Sequence, residues 1–223
     1  PNRDYYLLDG AKYVGFRKAY RDFVTKIQTL AGIIDAAVKA DRIIALEKAI
    51  AIAQWTPERS RDIKQIYNPM TRVQMTALAP QFDWTAMLEQ SGLAKVPTVI
   101  VAQTTAIQAA GRLLDTVPLA TWKDYVAYHF VRTHAQYLPH AFDQADFEFY
   151  SKTLRDVPVQ RDRWKRGVAI VNGALGEGVG QIYVQRHYPP ASDVQMGELI
   201  ANLRAALQER IEKNNWMDDP TRN

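Results

Sequence analysis

The run Tyr13-Val14-Gly15-Phe16-Arg17-Lys18-Ala19-Tyr20-Arg21-Asp22-Phe23-Val24-Thr25-Lys26-Ile27-Gln28-Thr29-Leu30 decides the fold class. Its apolar residues Val14, Phe16, Tyr20, Phe23, Ile27 and Leu30 recur at short helical intervals and trace one face. Gly32 punctuates. A second helix is expected from about Ile33 to Gln54, with Ile34, Ala37, Val38, Ile44, Ala45 and Ile52 towards the core. Its Leu46-Glu47-Lys48-Ala49 stretch is rich in strong helix formers.

The same grammar repeats downstream. Thr56-Pro57-Glu58-Arg59 combines a capping residue, a first-position proline and a first-turn acid, and the short helix it opens ends before Asn68-Pro69. Thr71 starts another helix that stops near Pro80, and Asp83 caps one carrying Trp84, Met87 and Leu88. Thr98-Val99-Ile100-Val101 is the one convincing strand, so it pairs with something short or something missing. Helices resume at 105–114, 119–138 and 144–154, then at about 162–187. After Pro189-Pro190, Ser192 or Asp193 caps a last helix to Lys213. The reading is mainly α: a multihelical, bundle-like lobe with one or two very short β-strands, residues 1–223 forming a single helical region.

Composition excludes several classes. Hydrophobic residues at 47% and charged residues at 23% are ordinary globular usage, and 223 residues suffice for a large core. The charge of +4 is spread out and matched by nearby acids, as in Glu47-Lys48, which describes a solvated surface and not a nucleic-acid patch. With no cysteine there is no disulfide framework, thiol nucleophile or cysteine-held metal. No apolar run approaches the roughly 20 residues that span a bilayer, and no signal-peptide pattern is present. The start at Pro1 without Met and the stop in Asp219-Pro220-Thr221-Arg222-Asn223, a helix opening, suggest a piece of something longer.

Candidate chemistry is sparse. His129 and His134 are five apart, so they point roughly 140° apart on a helix, whereas a zincin needs two histidines at i and i+4 with a Glu between. His140 follows a proline at a helix end, and His187 precedes a double proline. All four histidines read as structural, and a non-standard metal site on His129, His134 or His140 is disfavoured. Gly173-Ala174-Leu175-Gly176-Glu177-Gly178-Val179-Gly180 lacks the strand of a dinucleotide fold and the Lys-Ser/Thr of a phosphate loop. It reads as close helix–helix packing. Asp143, Asp146 and Glu148, interleaved with Phe142, Phe147 and Phe149, read as a charged outer face over an aromatic inner one. No catalytic, substrate-binding or metal-ligating residue is assigned.

Several stretches together resemble the neprilysin and endothelin-converting enzyme family of zinc metalloendopeptidases. Pro1-Asn2-Arg3-Asp4-Tyr5-Tyr6-Leu7 is similar to its LPxRDYY, Leu46-Glu47-Lys48-Ala49-Ile50-Ala51 to its LExxIA, and Arg61-Asp62 with Tyr67-Asn68-Pro69-Met70-Thr71 to its RD…YNxMT. Phe82-Asp83-Trp84 matches FxW. Arg163-Trp164 and the run from Leu175 to Val184 match RW…LGxxxGxLYV, with Ile182 in place of Leu. Trp216-Met217-Asp218-Asp219-Pro220-Thr221-Arg222 resembles WMDxxTR. The motifs occur in order across the whole chain.

The resemblance implies a two-lobed, mostly helical, extracytoplasmic peptidase that encloses a cavity for peptides and small proteins. Its zinc is held by His-Glu-x-x-His and a later Glu, and its substrate backbone by an Asn-Ala-(Tyr/Phe) segment, motifs the family places C-terminal to the region matched here. The carboxylate-gripping arginines of its cap lobe match no position in this chain. The implied role is therefore a non-catalytic part of the cap lobe, partnered by the catalytic lobe of the same parent chain, with apolar patches where that lobe docks. The alternative is a free-standing helical interaction module. Animal members carry a Cys soon after the RW pair, where Gly167 stands here. The absence of cysteine points to a bacterial parent, periplasmic or lipid-anchored, without a transmembrane segment in this chain.

Overall fold

A computed structural model describes residues 2–222; the chain ends Pro1 and Asn223 lie outside the described residues. Two compact units are distinguished, one up to Gln160 and one from Arg161 onwards.

The first unit opens with the short α1 (Asp4–Leu7), then α2 (Ala11–Leu30) and α3 (Ala36–Ala53). Gly32, at φ +73°, closes α2: it lets the Ile33 N–H turn back to the Gln28 carbonyl at 3.0 Å. α3 begins at Ala36, later than the sequence suggests, because Asp35 occupies the left-handed region at φ 58°. The helix expected after Pro57 is broken into a 3₁₀ turn, Arg59–Arg61, and α4 (Ile63–Ile66). Asp62 is extended between them and accepts from the Lys64 N–H, so it caps a new helix instead of continuing the old one.

β1 (Pro69–Met70) and β2 (Val99–Ile100) form a two-stranded antiparallel ladder with Pro69 opposite Ile100 and Met70 opposite Val99. The expected strand thus has its short partner. Between them lie α5 (Arg72–Leu78) and α6 (Trp84–Gln90). Thr71 and Gln74 form a reciprocal capping box on α5, and Asp83 caps α6 through the Ala86 N–H.

α7 (Thr104–Thr116), α8 (Leu119–Thr133) and α9 (His140–Asp146) complete the unit. α9 starts four residues before the expected Gln144, directly after Pro139, and runs on as a π-helix over Phe147–Thr153. α3 is the central element, packed against α1, α2, α7 and α8. One core joins Tyr20, Phe23, Val24, Ile27, Ile43 and Phe149; a second joins Met75, Ala79, Trp84, Leu88 and Val101. The face of α3 differs from expectation. Ile34, Val38 and Ile52 are exposed, while Ala40, Ile43, Leu46, Glu47 and Ala51 are buried. Ala37 and Ala45 are exposed too, and Ile44 is half-buried.

The second unit comprises α10 (Arg163–His187), α11 (Pro190–Glu212) and α12 (Asp219–Arg222). α10 bends at Leu175, whose φ −129° and ψ 26° leave the helical region. α11 starts at Pro190, with proline in the first turn, and not at the expected Ser192 or Asp193 cap. Neither long helix buries a residue. A Cβ placed on Gly173, Gly176, Gly178 or Gly180 meets nothing within 4 Å, so the expected packing through these glycines is not made among the described residues.

Met75→Ala, deep in the second core, is expected to lower unfolding free energy by ~2–5 kcal/mol, whereas Leu203→Ala on exposed α11 changes it by less than about 0.5 kcal/mol. Urea unfolding of both variants checks the contrast.

Candidate functional site

The polar centre of the first unit is Glu47, whose side chain is only 6% exposed. It sits on α3 between Ile43 and Ala51, one turn from each, on the face that packs into the core. The Tyr20 hydroxyl donates to Oε1 at 2.9 Å, and the Tyr6 hydroxyl to Oε2 at 3.1 Å. His129 Nε2 lies 2.9 Å from Oε1. A carboxylate can only accept, so Nε2 carries the proton in this contact. Tyr128 donates to the Tyr20 oxygen at 3.3 Å, extending the chain, and the Tyr125 ring covers His129 with centroids 4.3 Å apart. One carboxylate thereby ties α1, α2, α3 and α8 together.

The surroundings explain its electrostatics. Burial pushes the Tyr20 hydroxyl far above the usual phenol range, with Tyr128 and Glu47 adding to the effect. Tyr6 is pushed up by burial, then by the charge of Glu47 and its hydrogen bond to it. Tyr128, Tyr150 and Tyr125 are raised chiefly by burial. The Asp146 carboxyl is raised by burial against the opposing pull of Arg132, whose Nε stands 3.6 Å away. Of the acidic cluster, Glu148 is on the outer face with Lys26 at 3.0 Å, Asp143 accepts from Gln160, and Asp146 is partly buried instead of outward.

The histidines are dispersed. His129 turns inward to Glu47, while His134 Nδ1 lies 2.7 Å from the Phe130 carbonyl on the exposed side. His140 is the exposed first residue of α9, and His187 ends α10 with its ring 5.0 Å from Tyr183. Among the described residues no three His, Asp or Glu side chains gather as metal ligands would. These residues do not fit zinc.

A second feature is an apolar groove of about 540 Å³ between the end of α3, α5, α6, β2 and α7. Met75, Trp84, Leu88 and Val101 seal its floor, each at most 7% exposed, and no charged residue lines it. Trp84 is anchored by its Nε1–H to the Ala79 carbonyl at 2.9 Å.

The Glu47-Lys48 pair reads in sequence as solvated surface, whereas Glu47 is the buried hub. The available signal was an acid on the same face as Ile43, Leu46 and Ala51. Its partners, 27 to 82 residues distant, gave no local pattern.

The molecule is thus a helical scaffold with a buried polar hub, an apolar groove and a pair of helices whose apolar stripes stay uncovered. The chain matches the N-terminal model of peptidase family M13 over residues 1–223, and belongs to that family. It is 25% identical to mouse endothelin-converting enzyme-like 1 over its whole length, covering 29% of that protein. The neutral endopeptidase of Lactobacillus helveticus is 24% identical over 84% of this chain. Mycobacterium tuberculosis zinc metalloprotease Zmp1 in its open state superposes with TM-score 0.82 at 32% identity, over 100% of this chain and 35% of that one. Its inhibitor complex gives TM-score 0.80 at 30% identity. The chain spans about a third of the length of these relatives. No helix among the described residues is long and apolar enough to cross a membrane.

Glu47→Ala would leave three donors facing a void, and a loss of ~3–5 kcal/mol is expected from equilibrium unfolding. Since the buried tyrosines hold their protons more tightly folded than unfolded, their stabilisation is intact below the free phenol pKa and lost as pH rises beyond about 10. Urea midpoints should fall above that pH, and fall less in Tyr20→Phe once its own lower starting stability is subtracted.

Proposed function

We propose that these 223 residues are a non-catalytic, helical part of the cap lobe of a zinc-dependent metalloendopeptidase acting on peptides and small proteins. In this reading they enclose the substrate cavity and brace the catalytic lobe of the same parent chain, which carries the zinc ligands. The parent is bacterial and works outside the cytoplasm, in the periplasm or on a lipid anchor.

One observation carries the reading. α11 presents Met196, Leu199, Ile200, Leu203 and Leu207 along one stripe, each 47% exposed or more, and α10 presents Val168, Val171, Leu175 and Ile182 in the same way. Apolar stripes at helical period are core faces, and several large apolar side chains left in water along one stripe mark a docking partner. The open glycine run on α10 leaves room for a partner backbone to approach. The bacterial assignment is supported by the 32% identity to the mycobacterial protein and by the lack of cysteine.

Zinc-dependent cleavage of a quenched peptide is the test, run on this chain alone and on the chain co-expressed with the remaining M13 polypeptide of its parent. Activity is expected only from the pair. Activity from the chain alone would overturn the assignment.

A further inference from the structure

Two buried polar atoms of opposite charge meet at the end of α9 without joining. Arg132 Nε on α8 lies 3.6 Å from Oδ1 of Asp146, the last residue of α9. That is too long for a hydrogen bond, and neither atom has another partner among the described residues. Buried polar atoms left open in this way ask for a reason. Here Arg132 is held by a second attraction: its guanidinium carbon stands 4.1 Å from the centre of the Tyr150 ring. Tyr150 belongs to the π-helix Phe147–Thr153, which begins directly after Asp146. Both partners of the arginine therefore sit on one continuous helix, about one turn apart, on either side of the change from α to π pairing. Such π segments recur where helices change state.

Asp146 is the arm that titrates. Burial holds its carboxyl above the ordinary range against the pull of Arg132; Asp143, one turn earlier, adds to the shift and Arg155 opposes it. The other charges around α9 are engaged elsewhere. On α2, Asp22 pairs with Lys18 at 3.3 Å and Lys26 with Glu148 at 3.0 Å. The 3₁₀ turn Ala135–Tyr137 brings the exposed Tyr137. On α8, Tyr128 donates to Tyr20 and His129 is turned to Glu47. The Asp146 side chain is 34% exposed, so its proton exchanges with solvent directly.

We propose that Arg132 is a two-position, pH-sensitive latch: it rests on the Tyr150 ring when Asp146 is protonated and swings to the carboxylate when Asp146 is ionised. The bias comes from the difference in attraction between the two forms of Asp146, which is what a proton needs in order to shift a conformational equilibrium. The swing reaches the core. Tyr150 and its neighbour Phe149 pack on Phe23, so moving the guanidinium off Tyr150 loosens the contact between the π-helix and α2. Because the folded state holds this proton more tightly than the unfolded chain, its stabilisation is full below the ordinary Asp pKa of about 4 and is lost as pH rises through the folded midpoint. The latch goes beyond the lobe assignment and rests on no part of it.

The test is an NMR titration of the isotope-labelled 223-residue chain across the acid range, with amide spectra confirming that it stays folded. Asp146 Cγ, Arg132 Nε and the Tyr150 ring should shift together with one midpoint above about 4. Asp146→Asn should lose this shared titration, and its urea midpoint should rise relative to wild type as pH passes the wild-type midpoint. Arg132→Gln should leave Asp146 titrating at higher pH while the Tyr150 ring no longer responds, which keeps the test open if the asparagine variant does not fold. An Asp146 midpoint at or below about 4, a Tyr150 ring that does not follow Asp146, or an unchanged ring response in Arg132→Gln would each overturn the proposal.

Discussion

Glu47 is the constraint around which the first unit is arranged. A carboxylate withdrawn from water costs several kcal/mol unless its oxygens are occupied, and here two tyrosine hydroxyls and an imidazole occupy them. Each donor comes from a different helix, so α1, α2 and α8 must all be in place before α3 can bury this face. The aromatic shell follows from that demand. Phe23, Phe149 and Tyr150 stack around Tyr20 and Tyr128, excluding the water that would compete for the carboxylate. A network of this kind adds little net stability over an apolar core but penalises any other register of the four helices.

The second unit has no comparable hub. Its long helices are held by local hydrogen bonds and exposed ion pairs such as Lys165–Asp162, which contribute little in water. Helices in proteins gain most of their stability from burying an apolar face, and these two leave theirs in solvent. The contrast between units is physical: one is closed by its own side chains, and the other carries the pattern of a core face without the core. The proposed docking against the rest of a longer parent chain accounts for that difference; the relatives are about three times as long as this chain.

The sequence was legible where structure is decided locally. Thr71 with Gln74, Asp83 and Gly32 signalled element ends through cap chemistry that needs only a few neighbours. The β-branched run at 98–101 was readable for the same reason. It failed where tertiary contacts choose. On α3 the branched residues Ile34, Val38 and Ile52 outweighed the small Ala40 and Ala51 in judging the face, yet close packing against α1, α2, α7 and α8 favours small residues and one paired acid. His129 was read as structural without its partner, because nothing near it in sequence points to Glu47. The family resemblance, carried by motifs spread from Asn2 to Arg222, told more about function than any single side chain could.

We propose that α10 and α11 form a core face completed by the rest of an M13 peptidase. Amide hydrogen exchange across residues 163–212, in the chain alone and bound to the remaining polypeptide of its parent, addresses it most directly. The account predicts that these amides exchange far faster than those of α2 and α3 in the isolated chain, and become protected in the complex. Protection of α10 and α11 equal to that of α2 and α3 without any partner would contradict it.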